Sequence, residues 1–238
     1  MPANIVDRLV VSCRLPVFCS ALFISPLGLT AELASNPFWE ASVGFWVSEN
    51  TYLDGHYNAK IPRYQTLNAI SVNGNLVTSE ERKYYPPGAF AGAVLGLDIP
   101  ADEGVELIQI SRGEAPDDTS IVNFAPLNIF SQNQYTRLET VSADTATMTV
   151  AYKETNEIAY KMLITIPTAD SRITASLGIN GHYAADTNES PLRGVSVFAA
   201  SRISEASFNE QTLQLRKTYQ VGTLVTIDKQ GNFVATPL

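Results

Sequence analysis

The chain has 238 residues, 45 % of them hydrophobic, and a formal net charge of −8. That is enough apolar material for a real core in one large domain, and with no basic run or Lys/Arg stripe it excludes a nucleic-acid-binding surface. Its two cysteines are Cys13 and Cys19, so thiol catalysis, Cys-ligated zinc and iron–sulfur clusters are excluded from everything that follows them.

The first 31 residues read differently from the rest. Arg8 and Arg14 precede a short apolar run over 15–25, and Leu29-Thr30-Ala31 offers a small residue at a cleavage point. This is the pattern of a secretory signal. It predicts an exported or periplasmic protein if the segment is such a signal, and a cytoplasmic one otherwise. Asp7, Pro16 and Pro26 depart from the pattern, and Ser25-Pro26 equally fits a helix start. The run is too short to span a bilayer, so no stable membrane insertion is expected. Residues 32–238 are read as a single domain.

Asn36-Pro37 opens a short amphipathic helix read over 38–46, with Asn36 as N-cap and Pro37 at its first position. Its aromatic residues cannot all face water, so this helix is expected to plug or cover a sheet.

Both histidines of the chain occur in one short pattern, Asp54-Gly55-His56-Tyr57-Asn58-Ala59 and Asn180-Gly181-His182-Tyr183-Ala184-Ala185. Pro62-Arg63 and Pro191-Leu192-Arg193 follow. Asp-Gly and Asn-Gly are strong hairpin signals, and turn chemistry alone accounts for most of the likeness. The shared histidine and the later arginine are left over. Histidine titrates near neutral pH, so two in one cavity would be natural acid–base partners.

From Tyr64 onward the chain reads as strands. Residues 64–72 alternate apolar and polar, and Asn73-Gly74 turns them into 76–78 and on to Tyr84-Tyr85. Further strands are read at 105–111, 120–124, 145–153, 159–166, 173–179, 194–200, 211–218 and 223–228, with 207–210 as a loop. Turn signals at 116–118, 142–144, 155–157, 169–170, Gly222 and 230–232 separate them. About ten strands at short spacing, with little helix between, predict an antiparallel up-and-down β-barrel of roughly eight to ten strands with a short N-terminal helix. The apolar, glycine-rich stretch 85–100 is neither a phosphate loop nor a dinucleotide fingerprint. It is read as a packed connection across one end of the barrel, or as an apolar lid over a ligand entrance.

The layout resembles the calycin group, the lipocalin-like and nitrobindin-like barrels. The residues that carry this are Gly44-Phe45-Trp46, which match the lipocalin Gly-x-Trp at the first strand, after a short aromatic helix and before a strand meander. The resemblance implies a barrel that binds a small hydrophobic molecule. Nitrobindin-like proteins hold haem through a histidine near the C-terminus. His182 lies too far from the end for that role, so no haem, and no other cofactor, is expected.

Other chemistry is thin. There is no Gly-x-Ser-x-Gly elbow and no His-Glu-x-x-His. A zinc site would need both histidines plus Asp54 or Asp186, and nothing further supports one. Glu80-Glu81 and Asp117-Asp118 are adjacent in sequence and do not read as a glycosidase pair.

The function expected is therefore a barrel binding a small apolar or aromatic molecule, acting as a cofactor-independent lyase or isomerase. His56 and His182 would exchange protons with the substrate, and Arg63 or Arg193 would hold an anionic oxygen. Trp46, Tyr57, Tyr64, Tyr183, Phe124 and Phe130 would line the site. The alternative is a non-catalytic carrier of a hydrophobic ligand, and a third class is an interaction domain with a filled barrel. A homodimer is compatible with any of these.

Overall fold

The computed structural model describes residues 32–52, 65–88, 97–179 and 192–238. The signal-like segment 1–31, most of the 85–100 stretch, and the segments bearing His56, Tyr57, Arg63, Tyr64, His182 and Tyr183 lie outside these residues. Arg193 and Phe130 are placed by their backbone alone.

The described residues form an up-and-down barrel with three additions. A helix, α1 (Pro37–Ser42), precedes ten barrel strands: β1 (Gly44–Tyr52), β2 (Gln65–Asn73), β3 (Leu76–Tyr85), β4 (Gly104–Glu114), β5 (Ile121–Phe124), β6 (Gln134–Thr140), β7 (Thr145–Tyr152), β8 (Ile158–Thr168), β9 (Ser171–Ile179) and β10 (Leu192–Ile203). Helix α2 (Glu205–Thr218) and a hairpin of β11 (Val221–Ile227) and β12 (Phe233–Pro237) follow. Each barrel strand pairs antiparallel with its sequence neighbours, and β1 pairs with β10 from Phe45↔Ile203 to Tyr52↔Ser196. The ring is therefore closed, as the strand meander and the calycin resemblance predict.

Closure is thinnest between β4 and β5, where only Gly113↔Phe124 and Glu114↔Asn123 pair. A side chain on Gly113 would meet Val122 Cγ1 at 2.5 Å, so glycine lets these two strands approach. The other half of the same β4 edge pairs in parallel with β11, as in Val225↔Leu107. The β11–β12 hairpin thus extends the wall beside the short β5.

Helix α1 starts as its sequence dictates. Asn36 Oδ1 accepts from the Phe38 N–H at 3.0 Å, and Pro37 needs no partner at the first position. The Asn36 amide also donates to Thr119 O at 2.8 Å, which ties the helix to the β4–β5 connection. The helix ends at Ser42 rather than running to Trp46 as the aromatic spacing suggests. Gly44 sits at φ 131°, a backbone that side chains rarely adopt, and it turns the chain into β1. Phe38 and Trp39 then pack with Trp46, Val77, Leu138 and Ile166 into a core that seals this end of the barrel.

The segment 211–218, read as a strand after a loop at 207–210, is helical throughout as part of α2. The Ser204 side chain caps it by accepting from Ser207 N at 3.1 Å. Phe208, Thr212 and Leu215 form the buried stripe, at helical rather than strand spacing. They pack on the outside of the barrel against Leu67 and Tyr84. Arg216, in the last turn of the helix, reaches back to the buried Glu106 at 2.5 Å. Gly222 lies inside β11, not in a turn, and β6 and β12 are strands that the sequence reading passed over.

Candidate ligand cavity

The barrel interior holds a cavity of about 800 Å³. That lies within the range of roughly 300–1,000 Å³ typical of small-molecule sites. Strand alternation decides what faces it. From β3 and β4 come Ser79, Glu81, Lys83, Gln109 and Ser111; from β7, β8 and β10 come Met148, Val150, Met162, Ile164 and Phe198. Polar side chains are concentrated on β3, β4 and β9 and apolar ones on β7, β8 and β10, so the space suits an amphipathic occupant better than a pure hydrocarbon.

The polar wall is partly self-neutralised. Lys83 Nζ lies 2.9 Å from Glu81 Oε2 and donates to Gln109 Oε1 at 2.9 Å. Asn68 donates to Ser79 Oγ at 2.8 Å and to Glu80 O at 3.1 Å.

The deep end, beside α1, is cationic. The guanidiniums of Arg202 and Arg172 lie over the Trp46 ring, 4.4 and 5.1 Å from its centroid. Trp46 is fully buried, and its indole N–H donates to Ser42 O at 3.0 Å. The ring face offers each cation a partial partner, but the two arginines are otherwise unlike. Arg202 is spent on the backbone: it donates to Ala169 O at 2.6 Å, Ala41 O at 2.6 Å and Val43 O at 2.5 Å, pinning the end of α1. Arg172 lines the cavity and donates to Asn68 Oδ1 at 3.2 Å, and its Nε has no partner among the described residues. Burial pushes the Arg172 guanidinium down to about 10; Glu81 draws it back up and Arg202 pushes it further down. It remains a cation at neutral pH.

The residues expected from the sequence divide into three groups. Phe124 lines the cavity as anticipated. Trp46 lies beneath its floor, covered by the two arginines rather than exposed to the space. The histidines, Arg63 and the three tyrosines fall outside the described residues, and Arg193 and Phe130 are known here by backbone position only. Sequence reasoning passed over Arg172, Asn68 and Lys83, and weighed Glu81 only as half of a glycosidase pair. A signal for Arg172 existed: Arg172, Thr174 and Ser176 share one face of β9, opposite Ile173, Ala175 and Leu177. The usual assumption that the apolar face is the inner one hides it, because Ile173 and Leu177 are exposed on the outside.

Among the described residues no group of three or more His, Cys, Asp or Glu is placed to hold a metal, and no helix is long and apolar enough to cross a membrane.

No family model matches the chain, and no curated protein matches it. Solved structures similar to it are barrels of low identity. The S-type phycobiliprotein lyase CPES from Guillardia theta has a TM-score of 0.41 at 12 % identity, covering 71 % of this chain and 90 % of that one. EF1p2_mFAP2b bound to DFHBI gives 0.34 at 10 % identity, with 70 % and 97 % covered. A redesigned β-barrel gives 0.33 at 10 % identity, with 72 % and 98 % covered.

Proposed function

We propose that this protein binds a small, largely apolar molecule inside its barrel. The observation that carries the reading is the cavity of about 800 Å³, walled on one side by Met148, Met162, Ile164 and Phe198. A filled barrel, as an interaction domain would have, leaves no such space.

The test is a fluorescence titration with the uncharged probe N-phenyl-1-naphthylamine. One molecule should bind per chain. Thr136 faces the cavity from the middle of β6, so Thr136→Trp should abolish binding while the fold, followed by circular dichroism, persists. Undiminished binding in that variant would place the probe elsewhere and sink the reading.

A second reading makes the barrel a cofactor-independent lyase or isomerase, with His56 and His182 as proton donor and acceptor and Arg63 or Arg193 holding an oxyanion. The observation behind it is strand register. Tyr52 pairs with Ser196 and Ile179 with Leu192, so β1 and β9 end, and β2 and β10 begin, at the same rim. Native mass spectrometry of protein purified from its own host would identify a co-purifying molecule. His56→Ala and His182→Ala should retain probe binding and lose conversion of that molecule. Conversion at the wild-type rate in both variants would remove the histidines from the mechanism.

A further inference from the structure

We propose that the ligand is an organic acid, and that Arg172 receives its carboxylate at the deep end of the cavity while the apolar body lies along β7, β8 and β10. This rests on the small-molecule reading above and adds the chemical class of the ligand.

Three polar side-chain atoms of cavity-lining residues are buried without a hydrogen-bond partner among the described residues: Arg172 Nε, Thr66 Oγ1 and Trp39 Nε1. Each can donate. Buried polar groups are normally paired, because leaving one unpaired forfeits its hydration with nothing in return, most of all for a charged group. Three donors lining one cavity, from α1, β2 and β9, therefore call for an acceptor-rich partner. Thr66 is the next inward position on β2 after Asn68, which already holds Arg172, so the hydroxyl and the guanidinium belong to one neighbourhood.

The charge points the same way. Glu81, the acid that faces the cavity, is engaged by Lys83 at 2.9 Å. Neither Arg172 nor Arg202 has a carboxylate within 4.0 Å among the described residues. Among the described residues, the two guanidiniums over a single indole thus have no carboxylate in contact, and Glu81 acts on Arg172 only from a distance. An isolated buried cation is costly unless paired, and a guanidinium matches a carboxylate with two parallel hydrogen bonds. Arg202 is occupied by backbone carbonyls, which leaves Arg172 as the group that can turn to a ligand.

The strands beside β9 specify the rest of the molecule. Met148 and Met162 are adjustable apolar side chains suited to an irregular body, and Phe198 offers a ring face. A carboxylate at the floor with an alkyl or aromatic body towards the far rim satisfies both halves of the cavity.

Two measurements test this. In the wild-type protein, decanoate and decanol would each be titrated against bound N-phenyl-1-naphthylamine. A single charge-assisted contact should let decanoate displace the probe at a concentration lower by about tenfold or more. Equal potency, or the reverse order expected from hydrophobicity alone, overturns the proposal while leaving the binding cavity in place. If the neutral probe itself does not bind, the small-molecule reading fails instead. In parallel, Arg172→Met should weaken the anionic probe 1-anilinonaphthalene-8-sulfonate about tenfold more than it weakens the neutral probe, and Arg172→Lys, which keeps the charge but not the fork, should recover part of that difference. Equal losses for both probes, or no loss for the anion, also overturn it. The decanoate–decanol comparison needs no variant and so stands even if Arg172→Met does not fold.

Discussion

At the scale of single residues, the barrel separates two kinds of buried charge. Arg172 faces a space, whereas Glu106, fully buried on the outer face beneath α2, is closed in by Arg216 at 2.5 Å, Arg82 at 3.4 Å and the Tyr84 hydroxyl at 3.1 Å. A carboxylate with three partners is a fastening, not a site. The Tyr84 phenol is pushed up to about 12, first because it is buried and then because Glu106 repels a phenolate. The unfolded phenol titrates near 10.0. Folding therefore favours the protonated phenol, and this stabilisation is fully present below pH 10 and lost as pH rises towards 12. Urea unfolding of wild type and Tyr84→Phe should differ by a constant amount below pH 10, and the difference should shrink between pH 10 and 12. A difference independent of pH across that window would mean the phenol is not held as described. None of this was legible in the sequence, since neither Glu106 nor Tyr84 belongs to a motif. Asn36-Pro37 was legible, because a cap and a first-turn proline act within a few residues of themselves.

At the scale of elements, local pattern succeeded where neighbours along the chain decide the outcome and failed where a distant surface does. Leu213 and Leu215 alternate with polar residues and mimic a strand, yet Leu213 is 67 % exposed and only Leu215 packs inward. What selects the helix is the stripe of Phe208, Thr212 and Leu215, completed by a barrel face that sequence periodicity does not display. Phe208 is its anchor, with its ring 5.1 Å from that of Phe45 and the Arg82 guanidinium 5.6 Å away. Phe208→Ala should cost about 3 kcal/mol of unfolding free energy, as large-to-small changes of a buried aromatic do. Because α2 packs outside the barrel, N-phenyl-1-naphthylamine should bind this variant with unchanged affinity at temperatures where it is folded. A large loss of affinity in folded protein would show that the helix shapes the cavity after all.

At the scale of the whole molecule, the barrel could be read from the spacing of strands and turns, but its interior could not. Alternation says which residues share a face and is silent on which face closes inward. On β9 the inner face is Arg172, Thr174 and Ser176, and the apolar residues look out. A barrel with a polar inner wall and a space of about 800 Å³ forgoes part of the packing that a filled core supplies. Its native state should then gain visibly from its ligand. A molecule that binds only the folded barrel adds about 2.7 kcal/mol at one hundred times its Kd. For a chain of this size that corresponds to a rise in Tm of about 5–10 °C. Decanoate at that ratio should produce such a rise in a calorimetric scan, and decanol at the same absolute concentration a smaller one. Thr136→Trp, with the space filled, should melt at the same temperature with or without either compound. A shift that survives in Thr136→Trp would trace the stabilisation to the outer surface, where Leu163, Ile173 and Leu177 stand exposed, and not to the interior.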